Sequence, residues 1–157
     1  MVRPMTDRDR ERVLEIIRST EMFRPEEIEV AAELIDIYLD RPGQRDYDVV
    51  VIEDAGGRVA GYLTYGPTPL TVGTYDLYWM AVAPEAQGRG LGRELVAWLE
   101  TRVSEAGGRL ILIETSSQPK YEKTRTFYLG VGYRETSRIP DFYAAGDSRI
   151  TYTKYFG

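Results

Sequence analysis

Three glycines alternate at positions 88, 90 and 92, at the end of the stretch Met80-Ala81-Val82-Ala83-Pro84-Glu85-Ala86-Gln87-Gly88-Arg89-Gly90-Leu91-Gly92. An apolar, strand-like run precedes them and an amphipathic run with leucines four apart follows, so they sit where a strand gives way to a helix. Glycines at such a junction let a ligand come close to the backbone, and the first helical turn has N–H groups without intrahelical partners. Those donors and the positive helix end make an anion site, with Arg89 and Arg93 adding charge beside it. Two phosphate-binding motifs do not fit. A P-loop ends in Gly-Lys-Ser/Thr, where this chain has Gly92-Arg93-Glu94. A dinucleotide fingerprint starting at Gly88 needs a small residue at position 93, which is occupied by Arg93.

The chain contains no Cys and no His. That excludes disulfides, thiolate zinc sites, iron–sulfur clusters and Cys nucleophiles, as well as Ser-His-Asp catalysis and His-ligated metals. Proton transfer falls to Asp, Glu, Tyr, Lys or water. A metal site of carboxylates alone has no motif behind it, so none is assigned. The net charge of −5 argues mildly against a nucleic-acid partner and mildly for cationic ligands.

These residues must be positioned by the rest of the chain, whose length of 157 residues fits one domain. Val2-Arg3 reads as a short strand. Thr6, with Asp9 three residues on, caps a helix over Asp7–Ser19. Pro25 opens a second helix whose apolar face is Ile28, Ala31, Ala32, Ile35 and Leu39, ended by Arg41-Pro42-Gly43. Tyr47–Glu53 and Arg58–Tyr65 read as a hairpin across Asp54-Ala55-Gly56-Gly57. Gly66–Gly73 is a loop and Thr74–Ala83 a long strand. Gln87–Ala106 is an amphipathic helix stopped by Gly107-Gly108. Arg109–Thr115 is a strand, Ser116–Lys120 a loop, Tyr121–Leu129 a short helix and Tyr133–Arg138 a strand. Ile139–Asp147 is a loop before a last strand, Arg149–Phe156. This order, β-α-α-β-β-β-α-β-α-β-β, predicts an α+β fold, an α/β sandwich with about seven strands in a mixed sheet and about four helices. No apolar run approaches the length that spans a bilayer, and no leader is visible, so the expected compartment is cytoplasmic and no membrane partner is expected.

Gln87, Gly90 and Gly92 form a Gln-x-x-Gly-x-Gly motif. It resembles the pyrophosphate loop of the Gcn5-related N-acetyltransferase (GNAT) superfamily. Val82-Ala83-Pro84 resembles the V-x-P that leads into that loop, and Phe127-Tyr128-Leu129-Gly130-Val131-Gly132-Tyr133 resembles the family's F-Y-x-x-x-G-[FY] segment. The segments stand in the family's order, and the element order covers nearly the whole chain. The resemblance implies a single domain, 1–157, with a mostly antiparallel sheet splayed between two parallel strands, here 74–83 and 109–115. Acetyl-CoA is the implied cosubstrate, with no metal. Its pyrophosphate would lie on the backbone N–H groups of Gly88, Arg89, Gly90, Leu91, Gly92 and Arg93. Main-chain groups of Met80 and Val82 would pair with the pantetheine arm, the Val82 N–H also facing the thioester oxygen. Tyr128 matches the family's general acid. One departure concerns the preceding N-x-x-A pattern, where Tyr121 and Thr124 stand instead. The Asn commonly helps hold CoA, and Ser116, Ser117 or Lys120 are the residues that could replace it.

The implied reaction is direct attack of a neutral amine on the thioester. An alkylamine with a pKa near ~10 is mostly protonated at neutral pH, so a base is wanted. Asp76 matches the offset of the glutamate base in the histone-acetylating branch and, being shorter, would act through water. Glu114, near the end of the adjacent strand, is the other candidate. Either could instead hold the amine as an ammonium. Tyr65, Tyr78 and the Asp141-Phe142-Tyr143 segment, with Asp141 and Tyr143 as its polar members, are candidates for the acceptor pocket. Strand alternation puts Asp76 with Tyr78 on one face and Tyr75 with Trp79 on the other. The expected function is N-acetylation of a small or peptide-borne primary amine. The rivals are a non-catalytic acyl-CoA-binding or sensing module and a transferase of another acyl group. A homodimer could form along Thr151–Phe156 if that strand is an edge, which Lys154 would otherwise protect.

Overall fold

A computed structural model describes residues 1–157. Strand β1 (Val2–Pro4) leads through one 3-10 turn into α1 (Arg10–Ser19) and α2 (Pro25–Asp40). Then come β2 (Asp48–Glu53), β3 (Val59–Pro67), β4 (Thr74–Val82), α3 (Leu91–Glu105), β5 (Leu110–Ser116), α4 (Glu122–Gly130), β6 (Arg134–Ala144) and β7 (Asp147–Tyr155). The strands form one seven-stranded sheet in the order β1-β2-β3-β4-β5-β7-β6. Only β4 and β5 run parallel, because the helix α3 carries the chain back between them.

Side-chain alternation divides the interior into two layers. Val49 and Val51 of β2 face α1 and α2, packing with Val13, Ile16, Ile17, Ala31 and Ile35. Val50 and Ile52, one residue out of step, face α3 and α4 and pack with Leu95, Leu99 and Val103. Both layers are fully buried at their centres, so each stabilises the sheet through apolar area removed from water. The α1 entrance is fixed by Asp9, whose carboxylate accepts the Thr6 N–H at 2.8 Å and both terminal nitrogens of Arg3, at 2.8 and 3.0 Å. Arg3 also reaches Glu53 at 2.7 Å, tying the helix start to β1 and β2.

The strand β4 is irregular where it matters. Thr64 of β3 pairs with Trp79, but the next residue, Tyr65, pairs with Leu77, so Tyr78 is an extra, bulged residue. The alternation expected across Thr74–Ala83 is therefore broken. Tyr75 and Trp79 do not share a face: Tyr75 packs in the α3 layer and Trp79 in the α1 layer. Pairing between β4 and β5 runs from Thr74 with Leu110 only as far as Leu77 with Ile113. Beyond the bulge the two strands part, leaving a cleft between their C-terminal ends.

Three other sequence expectations need correction. The helix α3 begins at Leu91 rather than Gln87, since left-handed Gly88 and Gly90 keep the preceding residues out of it. The segment expected as a loop, Ile139–Asp147, is mostly strand: β6 runs to Ala144 and turns into β7 through Gly146, at φ +80°. The last strand is not an edge, because β7 lies between β5 and β6. Lys154 points into the molecule, where its ammonium binds Glu100 at 2.7 Å and the Val131 carbonyl at 3.0 Å. No helix is long and apolar enough to cross a membrane.

Candidate active site

The cleft is bounded on one side by the free edge of β4. The Ala83 N–H donates to the Ala60 carbonyl of β3 at 2.8 Å. By alternation, the main-chain groups of Met80 and Val82 point the other way, towards the cleft. The side-chain amide of Gln87 donates to the Val82 carbonyl at 3.1 Å, which anchors the loop to the strand end and leaves the Val82 N–H free.

The glycines of the loop answer two different constraints. Gly88 and Gly90 have φ of +78° and +81°, conformations that cost an L side chain energy. Gly92 is constrained by space, since a Cβ there would stand 3.3 Å from the Phe127 ring. None of the backbone N–H groups from Gly88 to Arg93 has a partner within the chain, and no side chain caps α3. Nothing stands within 4 Å of where a Cβ would project from Gly88 or Gly90, so the cradle is open. Successive unpaired amides at a helix start are a site for a phosphorylated group.

This loop forms one wall of a cavity of about 960 Å³. Met80, Val82, Gln87, Gly88, Gly90, Leu91, Gly92 and Arg93 all line it, whereas the Arg89 side chain does not. Tyr128 lines it from α4, packed edge-on against Phe127 with ring centroids 5.3 Å apart. Burial pushes its phenol well above the ordinary tyrosine range, so it keeps its proton. Thr115 of β5 also lines the cavity; it is buried at 6 % exposure and its hydroxyl has no partner. That hydroxyl is sealed from the cavity, so Thr115 contributes to the wall by its other atoms.

The carboxylates divide. Glu114 lines the cavity, and one of its oxygens accepts Arg149 Nη2 at 2.6 Å. Alternation along β5 sets Glu114 on the face opposite Ile113 and Thr115, and so opposite the α3 and α4 layer. Asp76 does not line the cavity: its carboxylate turns to Thr68, whose hydroxyl donates at 2.6 Å. Tyr78 and Tyr143 reach the cavity wall, but Tyr65 and Asp141 do not. Tyr65 is buried against Trp98 of α3, centroids 6.0 Å apart, and Asp141 accepts the Gly146 N–H at 2.7 Å to close the β6–β7 turn. Tyr78, beside Asp76, has its pKa pushed up to about 12 by burial first and that carboxylate second.

The sequence reading missed the segment between α1 and α2. Met22, Phe23 and Arg24 from that segment line the cavity, together with Glu26, Glu27 and Val30 from the start of α2, and Phe23 is edge-on to Trp79 at 5.2 Å. A Phe standing between two helices, outside both apolar faces, was the available signal.

An acetyltransferase (GNAT) domain family matches residues 45–135, which takes in β3 to β5, the glycine loop and Tyr128. The chain belongs to the GNAT acetyltransferase family. A crystal structure from Desulfovibrio desulfuricans, of a protein assigned to the GNAT family, is 43% identical, covering 99% of this chain and 98% of that one, with a TM-score of 0.92. The S-(2-succino)cysteine N-acetyltransferase of Bacillus subtilis (strain 168) is 27% identical over 132 residues, which is 81% of this chain and 79% of that protein. An aminoglycoside 6'-N-acetyltransferase solved with coenzyme A shares the fold at 18% identity, with 99% and 96% coverage and a TM-score of 0.75.

As a GNAT protein this chain is an acyltransferase, and the family's cosubstrate is acetyl-CoA. The open cradle at Gly88–Arg93 and the free edge of β4 fit a phosphorylated, amide-bearing cosubstrate. The residues that could replace the family's Asn are engaged elsewhere. The Ser116 hydroxyl donates to Asp147 at 2.5 Å, the Ser117 hydroxyl accepts the Ser148 N–H at 2.8 Å, and the Lys120 ammonium lies over the Tyr121 ring at 5.3 Å.

Proposed function

We propose that this GNAT protein transfers the acetyl group of acetyl-CoA to a primary amine, with Tyr128 as general acid and Glu114 as the carboxylate serving the amine. The observation that carries the reading is the run of unpaired amides from Gly88 to Arg93 opening into the same cavity as Tyr128. Those amides and the start of α3 hold the diphosphate. The free edge of β4, through Met80 and Val82, orients the pantetheine arm. The Val82 N–H faces the thioester oxygen, where a fixed donor lowers the barrier as negative charge develops.

Proton traffic follows from the two sides of the sheet. Tyr128 lies in the α4 layer and protonates the departing sulfur. Its raised pKa makes it a reservoir that is full at neutral pH. Glu114 lies on the other face, with one oxygen held by Arg149, and takes the amine proton through water. Asp76, turned away towards Thr68, supports the wall near Tyr78 rather than meeting the amine.

The test is release of the CoA thiol, followed with a thiol reagent, over a panel of primary amines. Amine-dependent release supports the transfer. Tight acetyl-CoA binding with no release from any amine would make the chain a binding or sensing module instead.

A further inference from the structure

Two elements on opposite faces of the sheet are joined above the cleft. The Tyr121 hydroxyl, at the entrance to α4, donates to the Met22 carbonyl oxygen in the α1–α2 loop at 3.0 Å. The two residues are 99 apart in sequence and both line the cavity. The loop is seated on the same line by Phe23, stacked edge-on against Trp79 of β4. It is also seated by Glu27, which accepts both the N–H and Nε of Arg24 at 3.1 Å. Glu21, at the root of the loop, is left-handed at φ 55°, a conformation a non-glycine residue keeps only when its surroundings hold it. Tyr121 is half-buried, with its pKa pushed up to about 12 by burial and then by Glu27, so the donor stays protonated.

We propose that Tyr121 is a positioning residue that latches the α1–α2 loop across the mouth of the cleft, favouring small free amines over amines presented by a folded protein by about fivefold. The proposal rests on the acetyltransferase reading above. With the latch made, the acceptor chamber is bounded by Met22, Phe23, Glu27, Trp79 and Tyr143. One hydrogen bond biases the loop towards closure by roughly fivefold, weak enough to open as small molecules come and go. A folded protein would have to hold the loop open throughout the reaction.

Tyr121→Phe keeps the ring and removes only the donor. In hydrogen–deuterium exchange on the free protein, amides of residues 20–28 exchange about fivefold faster in the variant, with the rest of the chain unchanged and the thermal midpoint lowered by no more than about 4 °C. Turnover is then measured on tyramine, spermidine, free amino acids and folded ribonuclease A. The wild type acetylates the folded protein at least about fivefold more slowly than the small amine. In Tyr121→Phe the KM for the small amine rises about two- to fivefold while kcat and the KM for acetyl-CoA hold. Unchanged exchange overturns the latch, whether or not any amine is turned over. Faster exchange with an unchanged amine KM overturns the positioning role. Acetylation of ribonuclease A at a rate matching the small amines overturns the size restriction. Absence of thiol release with every amine counts against the acetyltransferase reading itself, and the exchange result still judges the latch.

Discussion

Tyr128 sits where burial decides its protonation before any substrate arrives. Desolvation disfavours the phenolate, so the acid form persists well above neutral pH. Tyr128→Phe removes the hydroxyl proposed as the proton donor and leaves the ring packing against Phe127 and Tyr133 in place. The expected outcome is a fall in kcat of about 10²-fold with acetyl-CoA affinity retained, read by thiol release and calorimetry. No alkaline decline between about pH 6 and 9 should trace to this residue, and normal turnover of the variant across that range would remove it as the acid. That the glycine loop and Tyr128 meet at one cavity was legible because their spacing along the chain is itself the motif. The partners of Asp76, Tyr65 and Asp141 were not, because Thr68, Trp98 and the Gly146 amide meet them only through the tertiary fold.

Elements were readable where local pattern and tertiary packing agree. The leucines four apart in α3 and the alternation of β2 are of this kind, and both bury the faces their periodicity marks. The outer half of β6, from Ile139 to Ala144, was not, since every residue there is exposed and no apolar alternation marks it as strand. Thr6 and Asp9 mark where helical structure begins, though it opens as a 3-10 turn over Asp7–Asp9 and α1 itself starts at Arg10; their distant partner Arg3 sets the energetics. Hydrogen bonds from Arg3 first, and from Thr6 next, hold the Asp9 carboxyl below its ordinary value against the opposing effect of burial. A carboxyl whose folded value is depressed stabilises the fold fully above its unfolded value near ~3.9 and loses that contribution as the pH falls through the lower folded value. Asp9→Asn should therefore destabilise the protein at neutral pH by on the order of 2 kcal/mol, with the deficit shrinking in acid. Urea titrations at several pH values check this, and a deficit that stayed constant into strong acid would contradict it.

At the scale of the whole molecule, one sheet serves two interiors. Trp79 belongs to the layer under α1 and α2, Trp98 to the layer under α3. Because β2, β3 and β4 contribute alternate residues to both, neither layer can be lost alone. Ile17→Ala and Leu99→Ala, one in each layer, should each cost about 2–5 kcal/mol. Both should shift a single unfolding transition, with the fluorescence of Trp79 and of Trp98, isolated by replacing the other with Phe, reporting the same midpoint. Separate midpoints would mean the layers unfold independently. The mixed sheet was predictable from the order of the elements, but the point where two strands part was not, because it depends on an irregularity that composition does not record. Tyr78 is surplus to the pairing of β3 with β4. A chain with that one residue excised would keep each remaining side chain on its own layer, so it would still fold. It would lack the bend that turns β4 aside, and the strands could zip together onward from Leu77 towards Val82. The result would be a sound protein with a sealed seam and nowhere to receive a ligand.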